Sequence, residues 1–206
     1  MKPEARLWKV MSDNMFLPGV DRADRVENSV SSGQPDVNAC LAGEDVWVEL
    51  KAPKEPKRAS TLLMTSNGNH PLLQSQINWF ARQRHAGGIA FILIRTDKRM
   101  MLVDGTKHGD SFNSMTVAQM EAAAIFCAPV PTPHIEWRML RNVIFTASRY
   151  RRLHQHASAQ QLLADLERGE GEVVGDRLPG GGATVEGRAA APPRPSRRRR
   201  GAGDGP

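Results

Sequence analysis

Asp36, Glu49 and Lys51 have types and spacing suited to chemistry. They sit in two short stretches, Gln34-Pro35-Asp36-Val37-Asn38 and Val46-Trp47-Val48-Glu49-Leu50-Lys51. Side chains along a strand alternate with period two. Val37, Ala39 and Leu41 then share one face of a first strand, and Val46, Val48 and Leu50 share one face of a second. Asp36, Asn38, Glu49 and Lys51 take the opposite face. With Gly43-Glu44-Asp45 as the turn and Leu41 near Val46, Asp36 and Glu49 fall on neighbouring strands within reach of one ion. Two carboxylates and a lysine on one sheet face are costly to pack without a purpose. Oxygen ligands of this kind suit Mg²⁺ or Mn²⁺.

The elements that must position these residues follow from periodicity. Residues 3–14 read as a short helix, with Pro3 in its first turn and Leu7, Trp8 and Met11 as its apolar stripe. Residues 22–30 read as a strand with Val26 and Val30 inward. Pro35 cannot donate a ladder hydrogen bond and marks the start of the Asp36 strand. Residues 54–69 form a long polar connection carrying Lys54, Lys57 and Arg58, which suit phosphate contacts or a plain surface loop. Residues 71–86 read as an amphipathic helix with Leu73, Ile77 and Phe80 inward, stopped by Gly87-Gly88. Gln74, Gln76, Arg82, Gln83 and Arg84 give that helix polar faces. The apolar run 89–94 reads as a buried central strand, and 100–103 as another, ended by Asp104-Gly105.

Pro35-Asp36, then about a dozen residues, then Glu49-Leu50-Lys51 resembles the signature of the PD-(D/E)XK nucleases. Gly33-Gln34-Pro35-Asp36 and Gln76-Ile77-Asn78-Trp79, followed by Gly87-Gly88 and the run 89–94, are similar to the VRR-Nuc and RecU-like Holliday junction resolvase branch, often found in phages. The resemblance covers roughly the first 105 residues. It implies an α/β restriction-endonuclease-like core, a mixed sheet flanked by helices. It implies a metal-dependent endonuclease in which Asp36, Glu49 and the Leu50 carbonyl hold Mg²⁺ or Mn²⁺. Lys51 would stand beside the attacking water, and Gln76, with Gln74 as the alternative, would orient water or phosphate. Glu4 on the first helix matches a glutamate that relatives carry near the metal, and Glu27 in the Arg25-Val26-Glu27-Asn28 stretch is a second candidate. Glu4 equally suits stabilisation of a helix N-terminus. The implied partner is branched DNA, and the implied assembly a homodimer, although the sequence shows no interface for one. The alternative from another class is a non-catalytic nucleic-acid-binding protein that retains the fold.

The chain has 206 residues and a net charge of +6 from 28 basic and 22 acidic residues. Seven arginines against four acids lie from Gly171 onward, so half the excess sits in the tail. The division expected is a nuclease core over 1–110, a helical C-terminal extension over 111–170, and a disordered Arg-rich tail over 171–206. Within the extension, 116–126, 134–150 and 158–168 read as three helices. Arg149, Arg151 and Arg152, with Arg138, Arg141, His154 and His156, form a basic stretch that suits either a phosphate backbone or a solvated helix face. Cys40 and Cys127 stand outside any CxxC or Cys/His cluster, which argues for reduced thiols and against zinc. No segment reads as a signal peptide, and no apolar run approaches the ~20 residues of a membrane span, so the expectation is a soluble cytoplasmic protein.

Overall fold

The structure is a computed structural model that describes residues 2–26, 33–64 and 69–167. Its centre is one six-stranded sheet in sequence order, β1 (Asp21–Arg25), β2 (Val37–Leu41), β3 (Glu44–Lys51), β4 (Ala90–Arg95), β5 (Arg99–Asp104) and β6 (Ala124–Pro129). Neighbouring strands are antiparallel except β3 and β4, which are parallel. A parallel pair needs a crossover, and α2 (Gln74–His85) supplies it. Two apolar layers cover the sheet. On one face, Val37, Ala39, Val46, Val48 and Leu50 pack with Leu7 and Met11 of α1 (Pro3–Asn14) and with Trp137, Leu140 and Ile144 of α5 (His134–Glu167). On the other, Ile92, Ile94, Met101 and Val103 pack with Trp79 and Phe80 of α2, with Leu63, Met64 and Leu72, and with Val117 and Met120 of α4 (Val117–Ala123). The architecture is thus α/β, a mixed sheet flanked by helices.

The hairpin turn is tighter than expected. Ala42 and Gly43 alone form it, at φ of 48° and 88°, and Glu44 is already in β3. Two consecutive positive φ values match the right-handed twist of the flanking strands. The register therefore pairs Leu41 with Glu44 and Val37 with Val48, not Leu41 with Val46. Carried one step past β2, it sets Asp36 opposite Glu49. The sharper turn thus brings the two carboxylates closer than the looser register did.

Other departures have simple causes. Leu73 is exposed and precedes α2, while Leu72 takes the inward place, because the helix begins at Gln74 and not at residue 71. The strand over 22–30 is described only as β1, with Val26 half-buried; Glu27, Asn28 and Val30 lie outside the described residues. Asp104 does not simply end a strand. Its carboxylate accepts from the amides of Thr106 and Lys107 and starts the one-turn helix α3 (Gly105–His108). The segment read as all helical supplies β6, because residues 124–129 alternate Phe126 and Ala128 inward with exposed neighbours, a strand period. Residues 134–150 and 158–168 do not form two helices. α5 runs unbroken from His134 to Glu167, since nothing between 150 and 158 is a proline or glycine that would stop it.

The connection over 54–69 is anchored, not loose, in its described part. Leu63 and Met64 are buried, Leu62 bridges Thr116, and Glu55 is buried against Lys98, Arg99 and the Thr96 hydroxyl. Thr65, Ser66 and Asn67 lie outside the described residues, as does the tail from residue 168.

Candidate active site

Asp36, Glu49, Leu50, Lys51 and Gln76 line one cleft of about 690 Å³ at the C-terminal end of β3. β3 presents Glu49, which is 1% exposed, and Lys51, which is 8% exposed. Gly33 lets the preceding loop reach this point. It holds φ at 101°, and a Cβ there would run into the backbone carbonyl of Ser75. Only glycine allows so close a pass over the first turn of α2.

Asp36 Oδ2 accepts from the Leu50 amide at 2.9 Å. Gln76 ties the other groups together. Its Nε2 donates to Glu49 Oε1 at 2.5 Å, and its Oε1 accepts from the Leu73 amide at 3.0 Å and lies 3.5 Å from Lys51 Nζ. Lys51 Nζ stands 3.0 Å from Glu49 Oε1. Glu49 Oε2 is buried and has no hydrogen-bond partner. Burial first, and then the nearby Asp36 carboxylate, push the Glu49 carboxyl up to about 7, although Lys51 and Gln76 pull the other way. Burial also raises Asp36, with Glu4 adding to the rise and Leu50, Lys51 and Arg25 opposing it.

Two facing carboxylates that repel each other, one with an orphaned buried oxygen, fit a hard divalent cation. Asp36, Glu49 and the Leu50 carbonyl are the residues placed to hold one. Among the described residues no group of three or more His, Cys, Asp or Glu side chains gathers as a metal site. Two carboxylates would then need non-carboxylate oxygens to complete the shell, which is how Mg²⁺ is usually held.

The other sequence candidates divide. Glu4 lines the same cleft from the start of α1. Gln74 turns away and bonds Asn78 on the surface, so Gln76 is the glutamine at the cleft. Lys54 lines the rim. Lys57 and Arg58 are exposed and outside the cleft lining, and Arg82 is exposed farther along α2. Arg152 is engaged with Glu44 at the opposite end of β3, roughly 20 Å along the strand from Lys51, and Arg151 with Asp104 at the end of β5, two strands away from β3. Arg149 lies over the Phe145 ring on the same helix. These three arginines do not join the cleft.

Sequence reasoning missed Asn69, whose side chain clamps the cleft wall. It accepts from the Lys54 amide at 2.8 Å and donates to the Lys54 and Leu63 carbonyls at 3.0 and 2.7 Å. Lys2 and His70 also line the cleft unannounced. The Gly68-Asn69-His70-Pro71 run marks a turn, but nothing in it says what the turn holds.

No protein-family model and no curated protein matches the chain. One solved structure with a partial likeness is Hjc from Archaeoglobus fulgidus, described as a Holliday junction resolvase from an archaeal hyperthermophile. The likeness covers 49% of this chain and 74% of that one, at 20% identity and a TM-score of 0.30. A match that slight carries no weight for fold or function. No helix among the described residues is long and apolar enough to cross a membrane.

Proposed function

We propose that the chain is a metal-dependent endonuclease that hydrolyses phosphodiester bonds in DNA, with branched DNA as its preferred substrate. The observation that carries the reading is the meeting of Asp36, Glu49, Lys51 and Gln76 in one cleft, with a Glu49 oxygen left unpartnered. Asp36, Glu49 and the Leu50 carbonyl would hold Mg²⁺ or Mn²⁺. When bound, that cation supplies an acidified water and neutralises charge on the scissile phosphate. Lys51 contributes a positive charge beside Glu49, suited to the developing charge on the phosphoryl oxygens. Gln76 fixes the rotamers of both Glu49 and Lys51 from the first turn of α2. Lys54 at the rim meets the incoming backbone as a point charge. No covalent intermediate is required. The preference for branched DNA rests on the likeness of Gly33-Gln34-Pro35-Asp36 and of Gln76 to the resolvase branch.

A non-catalytic DNA-binding role is the weaker reading. Two carboxylates at the floor of a cleft repel phosphate and give a binding surface nothing. Cleavage assays on linear duplex, flapped and four-way DNA, with Mg²⁺, Mn²⁺ or chelator, separate the readings. Glu49→Gln should lower cleavage by at least about a hundredfold while retaining DNA binding, and Lys51→Ala should lower the rate with metal affinity little changed. Metal-independent cleavage, or full activity in Glu49→Gln, sinks the assignment.

A further inference from the structure

The 34-residue helix α5 is apolar on two opposite sides. At about 100° per residue, Trp137, Leu140 and Ile144 face the sheet, where they are buried. On the far side, Ile135, Met139, Thr146, Tyr150, Leu153 and Ala157 fall within about 40° of one line. The large members of that line are open to solvent: Ile135 63%, Met139 49%, Tyr150 64% and Leu153 58%. A helix packed on a globular core ordinarily turns a polar face outward. This one carries no charged residue along the line. Midway along it lies a shallow apolar depression of about 410 Å³, lined by Asn142, Val143, Thr146, Ala147 and Tyr150.

The spacing is palindromic about Thr146. Asn142 and Tyr150 stand four residues to either side, Met139 and Leu153 seven, and Ile135 and Ala157 eleven. In a two-fold interface residue i meets j while j meets i. Two antiparallel copies of α5 crossing at Thr146 would set Met139 against Leu153 and seat Tyr150 beside Asn142 in the central depression. The small Thr146 and Ala147 let the helices approach closely there. Covering the four exposed side chains would bury roughly 800 Å² over two copies, and their smaller neighbours would bring the contact near the ~1,200 Å² of the smaller specific interfaces. Residues 171–206 hold only four large apolar residues, Val173, Val174, Leu178 and Val185, too few to match the line.

We infer that the outward face of α5 is a self-association surface, occupied by the same face of a second copy of this chain in antiparallel array about a two-fold axis near Thr146. Arg138 and Arg149 flank the line on one side. At the rim Arg149 would lie near its own copy, roughly 9 Å along the axis, and Arg138 would lie nearer to that second Arg149 than to its own copy. Rim repulsion is screened by salt, so this pairing tightens as ionic strength rises. An acidic protein or a nucleic acid on the same face would show the opposite dependence.

Sedimentation equilibrium of the full chain over a concentration series tests this. A monomer–dimer equilibrium that tightens with added salt is expected. Leu153→Glu, at an exposed position, should keep the melting temperature and weaken the dimer by about a hundredfold, because a two-fold interface carries the substitution twice. In a Cys40→Ala, Cys127→Ala background, Thr146→Cys should oxidise to a covalent dimer, and a cysteine at exposed Ala122 should not. A chain that stays monomeric throughout overturns the inference. So does a dimer indifferent to Leu153→Glu, or one that cross-links equally from both positions.

Discussion

Glu49 combines a buried carboxylate, a lysine partner and an orphaned oxygen, and its protonation contributes to how the stability of the metal-free chain varies with pH. Its folded-state value of about 7 lies above the ordinary 4.5. The folded chain therefore binds this proton more tightly than the unfolded chain does. The resulting stabilisation is fully present below about 4.5 and is lost as pH rises through about 7, a change on the order of 3 kcal/mol. Asp36 is raised as well and adds in the same direction. Metal-free protein should melt at a lower temperature at pH 8 than at pH 5, and Glu49→Gln should remove most of that difference. An equal slope in the variant, followed by calorimetry, would place the titration elsewhere. Added Mn²⁺ should restore the melting temperature of the wild type at pH 8 and leave Asp36→Asn unchanged. Asp36, Glu49 and Lys51 were legible in the sequence because period-two alternation puts them on one face, whereas Gln76, on a helix, was reached only through the resemblance of Gln76-Ile77-Asn78-Trp79, with Gln74 as the alternative. Asn69 was not, because its three bonds join backbone groups that are distant along the chain.

At the scale of elements, the turn decides the geometry of the site. Ala42 holds a left-handed φ of 48°, a conformation that costs a residue with a Cβ roughly 1–2 kcal/mol. Asparagine tolerates it, and Asn-Gly is the favoured pair in such turns. Ala42→Asn should raise stability by roughly 0.5–1 kcal/mol with no change in the site, measured by denaturant midpoint at constant slope. A loss of stability would mean that the backbone strain is not where the φ value puts it. The hairpin and the buried strand β4 could be read in advance because alternation and continuous apolarity are local signals. The two-residue turn could not, since Ala42 gives no sign that it will adopt a glycine-like φ. β6 also escaped notice. Its partner β5 lies twenty residues upstream, and its Ala-rich start, continuous with α4, reads as helix.

At the scale of the whole molecule, charge is distributed unevenly. Three of the six net positive charges come from residues 171–206. If the four consecutive arginines 197–200 touch DNA, removing 171–206 should flatten log affinity against log salt by roughly 0.9 for each phosphate no longer neutralised, with the melting temperature kept. An unchanged slope would show that the segment does not touch DNA. Inside the core the decisive charge pair is Asp21 with Arg141, joined by two bonds of 2.6 Å. Asp21 also accepts from the amides of Leu17 and Ala42. Burial works to raise its carboxyl, but Arg141 and these amides hold it below the ordinary value. Arg141→Ala should cost about 3–5 kcal/mol, because it strands a buried carboxylate. That pair spans 120 positions, and the order of synthesis gives the span a meaning. Asp21 leaves the ribosome 120 residues before its counter-charge, with the hairpin close behind. Until then the Leu17 and Ala42 amides and water must satisfy the carboxylate without a counter-charge. β1 therefore gains its counter-charge only when α5 docks, which makes that helix the element that completes this edge of the sheet.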